Sequence, residues 1–200
     1  MSTSTGVLHA RGPMLRERGI GLRPKVLGFS CAVGILAASG CAGLKVKQPA
    51  SDSTPPSLVW NVFNHDTREQ ADHPGSPAIQ VQRGGSYRII LKANDPQGVQ
   101  SIQMNPVLGG GELWWQCVTP PGGENLAQNK TATLGPLTQN LSPDGNGMVL
   151  TSIFLIQEMS FAMECQPGWN FASGGGKLTG RSSNYFGGIT TEVISFSVSR

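Results

Sequence analysis

Residues 78–102, AIQVQRGGSYRIILKANDPQGVQSI, decide the fold. Ile79 and Val81 alternate with Gln80 and Gln82, and Tyr87, Ile89 and Leu91 alternate with Arg88, Ile90 and Lys92. A period of two puts successive side chains on opposite faces of an extended chain, so each run predicts a strand with one face in and one face out. Between the runs, Arg83-Gly84-Gly85 reads as a hairpin turn, because glycine takes the positive φ that a tight loop demands. Asn94-Asp95-Pro96-Gln97-Gly98 predicts the next turn: Pro96 fixes φ early in it, and Asp95 and Gly98 suit its other positions. A strand over 99–104 follows.

Working outward, the remaining signals are also for strands. Residues 57–63 (SLVWNVF), 112–119 (ELWWQCVT), 131–134, 147–159 (GMVLTSIFLIQEM) and 191–199 (TEVISFSVS) are rich in β-branched or aromatic residues and bounded by Gly, Pro, Asn or Asp. In the last, Ser195, Ser197 and Ser199 are expected outward. Residues 148–156 are apolar on both faces, which predicts a central strand covered on each side, with a buried helix as the alternative. Glycine at 109–111, 122–123, 174–176 and 187–188 predicts loops. No stretch after residue 40 sustains a 3.6-residue period. The expected fold is all-β, a two-sheet sandwich of about seven or eight strands over residues 57–200.

Upstream the composition changes. Residues 42–56 (AGLKVKQPASDSTPP) mix Pro, Ser, Ala and charge without apolar periodicity and predict a flexible tether. Residues 26–38 are apolar or small except for Ser30. They are too few for the ~20 a bilayer-crossing helix needs and fit the core of an export signal. Arg11, Arg16, Arg18, Arg23 and Lys25 form its basic preface, opposed only by Glu17. Met14 lies nearer this segment than Met1 and is an alternative start. Ala38, Ser39 and Gly40 then lead to Cys41.

This AASGC junction resembles the lipobox of bacterial lipoproteins, whose cysteine becomes a diacylated N-terminus. The resemblance implies a signal peptide over 1–40, lipidation of Cys41, and an exported protein anchored by an N-terminal lipid to the cell membrane or outer membrane. An ordinary signal peptidase, which needs small residues one and three positions before the cut, would also accept Ala38 and Gly40 and leave Cys41 bare. Residues 79–84 (IQVQRG), the SYRIILKANDPQGVQSI block and the final strand are similar to bacterial immunoglobulin-like or fibronectin-like domains. The antibody order of cysteine, core tryptophan and second cysteine is missing.

Charge narrows the partners. The whole chain has 15 Lys+Arg against 12 Asp+Glu, but from Cys41 onward ten Lys/Arg meet eleven Asp/Glu, a net charge near −1. A nucleic-acid footprint needs clustered cations to neutralise phosphates, and this part has none. The expected partners are membrane lipid through Cys41 and an envelope protein or glycan.

Five features invite a chemical reading. Cys117 falls in a predicted strand and Cys165 follows another, so a disulfide between them would pin a loop to the sandwich; without a CxxC, a redox role is not expected. His65 and His73, the two histidines after Cys41, flank Asp66, Glu69 and Asp72 and would offer ligands for a metal-dependent hydrolase, although a polar surface loop accounts for the same residues. Asp144-Gly145-Asn146-Gly147 has too few acids for a calcium loop and reads as a turn. Gly174-Gly175-Gly176-Lys177 lacks the residues of a phosphate-binding loop. Trp114 and Trp115 are neighbours on a strand, so if one indole fills the core the other faces solvent or a covering loop. An outward indole is a candidate binding surface for a sugar or a protein. No GxSxG or HExxH motif is present. The leading expectation is therefore a non-enzymatic envelope lipoprotein without a metal or cofactor. An envelope enzyme built on His65 and His73 and an architectural accessory subunit are the alternatives.

Overall fold

The computed structural model describes residues 44–47, 53–107 and 109–199, so the export segment 1–40 and Cys41 lie outside the described residues. In chain order the strands are β1 (Lys45–Lys47), β2 (Ser57–Asn64), β3 (Gln70–Pro74), β4 (Ala78–Gln82), β5 (Ser86–Asn94), β6 (Val99–Met104) and β7 (Gly111–Val118). They continue with β8 (Ala127–Thr133), β9 (Leu137–Asn140), β10 (Met148–Leu150), β11 (Ser152–Ser160), β12 (Asn170–Asn184) and β13 (Ile189–Ser199). There is no helix among the described residues. A four-stranded sheet runs β11-β5-β2-β3, and a seven-stranded sheet runs β4-β13-β12-β6-β9 with β7 on β12 and β8 on β7. All pairs are antiparallel except β4 with β13. The architecture is an all-β sandwich.

The expected alternation is present. Tyr87, Ile89, Leu91 and Ala93 of β5 are buried, as are Leu58, Trp60 and Val62 of β2. Across the gap they meet Val81, Ile102, Met104, Leu178, Ile194 and Phe196 from the larger sheet in one core cluster. β2 and β5 each turn one face onto this core, which is how an antiparallel sheet sits on a core.

Arg83-Gly84-Gly85 is not a hairpin turn. β4 belongs to the larger sheet and β5 to the smaller, so the segment carries the chain across the sandwich. Gly84 does adopt a positive φ, +81°, and its N–H donates to the Phe161 carbonyl at 2.9 Å. Alternation gives each strand an inner face but not its neighbour, and a hairpin and a sheet-to-sheet corner leave the same pattern. The 148–156 run also differs from expectation. It breaks at Thr151, whose N–H donates to Leu44 O, and continues as β11 at the edge of the smaller sheet, where Ile156 is 38 % exposed. The stretch assigned to a tether contributes β1, paired with β10, and a buried Pro56 whose carbonyl accepts from Thr190 Oγ1.

The largest difference is β12. The glycines at 174–176 were expected in a loop, yet they lie in the longest strand, 15 residues, with β13 on one edge and β6 and β7 on the other. Glycine weakens an isolated strand, but it also lets another layer approach closely. A Cβ on Gly180 would lie 2.8 Å from Trp60 Cζ2 and 2.9 Å from Leu91 Cδ1. One on Gly176 would lie 2.5 Å from Leu113 Cδ2, and one on Gly174 would lie 2.6 Å from Met163 Sδ. The space glycine leaves is filled by large side chains. Gly180→Ala should therefore destabilise the fold by about 1–3 kcal/mol through overpacking, whereas Gly123→Ala, where an added Cβ meets nothing within 4 Å, should be near neutral. Urea unfolding midpoints check both.

Glu192 lies opposite Gly180 in the β12–β13 ladder. Its Oε2 and Trp60 Nε1 are buried with no hydrogen-bond partner among the described residues, and burial raises the Glu192 pKa above its ordinary 4.5. A carboxyl whose folded-state pKa is raised contributes stability that is fully present below the unfolded value and is lost as pH rises through the folded value. Glu192→Gln should thus flatten the decline in stability that begins near pH ~4.5 and raise stability at pH ~7 relative to the parent. Unfolding midpoints measured across that range give the comparison.

Candidate functional site

β12 is long enough to take two partners in succession on one edge, β6 along residues 180–184 and β7 along 170–178. The change-over falls at Asn105, which is 1 % exposed and has φ +56°. Its N–H donates to Thr179 O at 2.7 Å, and its Oδ1 accepts from the Thr179 N–H at 3.3 Å. The side-chain amide thus stands in for a backbone rung where β6 has ended and β7 has not begun. Asn105 Nδ2 also donates to Gly135 O at 3.3 Å, beside the break between β8 and β9. Two interrupted strands, β6 with β7 and β8 with β9, therefore extend the larger sheet.

The inner face of this extension is covered by the segment after β11. Trp115 is half-buried against the core, and its Nε1 donates to Glu164 O at 3.0 Å. Lys130, opposite Trp115 in the β7–β8 ladder, donates to the same carbonyl at 3.1 Å. Cys117 and Cys165 are disulfide-bonded, with Cα atoms 5.7 Å apart and a sequence separation of 48. The bridge fastens β7 to the covering segment.

Trp114 points the other way. It is 46 % exposed, so no loop at 120–124 hides it. Its ladder partners are Gly175 on β12 and Thr131 on β8. A Cβ on Gly175 would come within 2.9 Å of Trp114 Cζ2 and 3.0 Å of Cε2, so the indole occupies the place of the missing side chain and lies over the strand. This is cross-strand cover of a glycine by an aromatic ring. On one side of it Gln116 Nε2 donates to Asn129 Oδ1 at 3.2 Å, and on the other Lys177 and Glu112 pair at 3.8 Å. Of this face the sequence identifies Trp114 and the outward serines of β13. Gly175 and Lys177 are hidden because the glycines at 174–176 read as a loop.

The histidines do not converge. His73 pairs with Trp60 in the β2–β3 ladder, while His65 follows Asn64 at the far end of β2. At ~3.4 Å per residue the two are roughly 15 Å apart along the hairpin, too far to share one metal ion. His65 Nε2 contacts Glu158 Oε2 at 2.9 Å. Burial pushes the Glu158 pKa up, but hydrogen bonds from Arg88 and His65 outweigh it and the net shift is down. Asp66 accepts the Ser86 N–H and ties the turn after β2 to β5, and Asp72 accepts from Asn61 across the β2–β3 hairpin. Among the described residues no group of three His, Cys, Asp or Glu could hold a metal ion. Asp144 Oδ1 accepts the N–H groups of Asn146 and Met148, as a turn requires. An open recess of about 560 Å³ lies near the disulfide, where the Arg83 guanidinium sits 4.8 Å from the Phe171 ring centre.

No protein-family model matches the chain, and no curated protein matches it.

Removing the bridge should loosen this region. With roughly 49 residues enclosed, chain entropy puts the loss from a Cys117→Ala, Cys165→Ala double variant at up to about 4 kcal/mol. Chemical denaturation of oxidised parent and variant measures it.

Proposed function

We propose that the chain is an exported, lipid-anchored envelope protein whose sandwich is a non-enzymatic binding module, with Trp114 at the centre of its contact surface. The observation that carries this reading is the exposed indole on a sheet face fastened from behind by the Cys117–Cys165 bridge. Large aromatic side chains exposed on rigid surfaces are the usual anchors of recognition, because they offer contact area at little entropic cost. The disulfide supports an oxidising compartment, in keeping with the export segment at 26–38.

The strand order supports an immunoglobulin-like domain. β11-β5-β2 facing β13-β12-β6-β9 has the order E-B-A facing G-F-C-C′, with β4 beside the last strand. The bridge departs from that pattern, joining β7 to the segment after β11 rather than the two sheet centres. With β1 beginning at Lys45, only residues 42–44 separate the proposed anchor at Cys41 from a paired strand. The four steps from Cys41 to Lys45 reach at most about 14 Å, which holds the domain near the lipid surface.

Cys41→Ser tests the anchor. It should leave the urea midpoint unchanged and move the protein from the membrane pellet to the soluble envelope fraction, since two acyl chains are what hold such a domain to lipid. Mass spectrometry of the parent N-terminus should find a diacylglyceryl group on Cys41; a bare cysteine would remove the anchor from the proposal. For the surface, crosslinked envelope components should be recovered with the parent and lost with Trp114→Ala. Equal recovery from both would place the contact elsewhere.

A further inference from the structure

The geometry points to a neutral glycan as the ligand of the Trp114 face, an assignment that rests on reading this face as the contact surface. Two features of the face carry it: the platform and the chemistry around it.

The platform is the indole laid over Gly175. Its Cζ2 and Cε2 take the space of the missing Gly175 side chain, while Trp114 as a whole stays 46 % exposed. Across β13 and β4 the same row continues through Ser197 and Gln80, both exposed, so no side chain larger than glutamine rises beside the indole on that side. From β8 to β4 the face spans five strands, about 19 Å at ~4.8 Å per strand, enough for several sugar rings in line.

The surrounding chemistry is hydrogen-bonding, and its charges are paired. Thr131 flanks the indole on β8 and the Gln116–Asn129 amide pair lies one row away, while the charges of Glu112 and Lys177 in the opposite row face each other. Hydroxyls and carboxamides both donate and accept, which matches the hydroxyl rim of a sugar. A pyranose ring also has an apolar C–H face, which stacks on an indole as other apolar surfaces do. Other occupants fit less well. A protein interface core is built from several aromatic and aliphatic side chains, whereas this face has one aromatic among polar groups. A phosphate-rich partner needs clustered cations, and here Lys177 is paired with Glu112.

The test uses the full exported protein in a non-glycosidic detergent. Cellotetraose, maltotetraose and chitotetraose are titrated separately, with intrinsic tryptophan fluorescence and calorimetry as readouts and an oligogalacturonate as the charged comparison. At least one neutral oligosaccharide should bind saturably and change the emission. Trp114→Ala should weaken that binding about tenfold or more, while Trp114→Phe, which keeps a flat ring, should retain it within about threefold and abolish the emission change. The oligogalacturonate should bind no tighter than the neutral chains. No binding of any neutral oligosaccharide at millimolar concentration, or binding undiminished in Trp114→Ala, overturns the glycan assignment. If no saccharide binds but Trp114→Ala still loses an envelope protein in crosslinking, the contact surface stands and only the ligand class falls. If Trp114→Ala changes neither readout, both fall.

Discussion

Trp60 against Gly180 is the contact on which the rest of this fold depends. The indole is fully buried in the smaller sheet, and its Cζ2 lies where a side chain on Gly180 of the larger sheet would begin. A sandwich core is about 10 Å thick, and a tryptophan fills much of that span by itself. Only a residue without a Cβ opposite lets the sheets close around it. Leu91 uses the same gap, so a single glycine admits two of the largest side chains of the inner face.

The same strand then solves a second problem. Gly174 and Gly176 face inward and leave room for Met163 and Leu113, while Gly175 faces outward and leaves room for Trp114. Three successive glycines therefore serve both faces of one strand, one for packing and the other for presentation. Their conformational freedom would be costly in an isolated strand. Here it is offset by ladders on both edges, by Asn105 bridging the change from β6 to β7, and by the disulfide holding β7 from behind. The exposed indole is thus coupled through its own backbone to the most constrained part of the molecule.

What the sequence shows and what it hides follow from the same physics. Strands with an apolar face, such as β2, β5, β6 and β13, are legible because alternation reports burial directly. β12 is not, because its inward positions at 174, 176 and 180 carry no apolar side chain; their contribution is the space they leave, which depends on residues far away in sequence. β3 is hidden for a different reason: QADHP pairs at an edge through its backbone and through Asp72 with Asn61, and buries little. The sheet-to-sheet corner at Arg83-Gly84-Gly85 looks like a hairpin because glycine suits both. At the site, Trp114 and the Cys117–Cys165 pair are visible from strand periodicity and cysteine count, whereas the partners that orient the indole are fixed only by register.

Amide hydrogen exchange across residues 170–184 tests this account most directly. If β12 is the central strand packed under Trp60, the amides of Gly176, Leu178 and Gly180 exchange among the slowest in the protein, at rates set by global unfolding, as do those of Ile89 and Leu91 in β5. Fast exchange at 174–180, like that of a glycine-rich surface loop, alongside a protected β5, would contradict it.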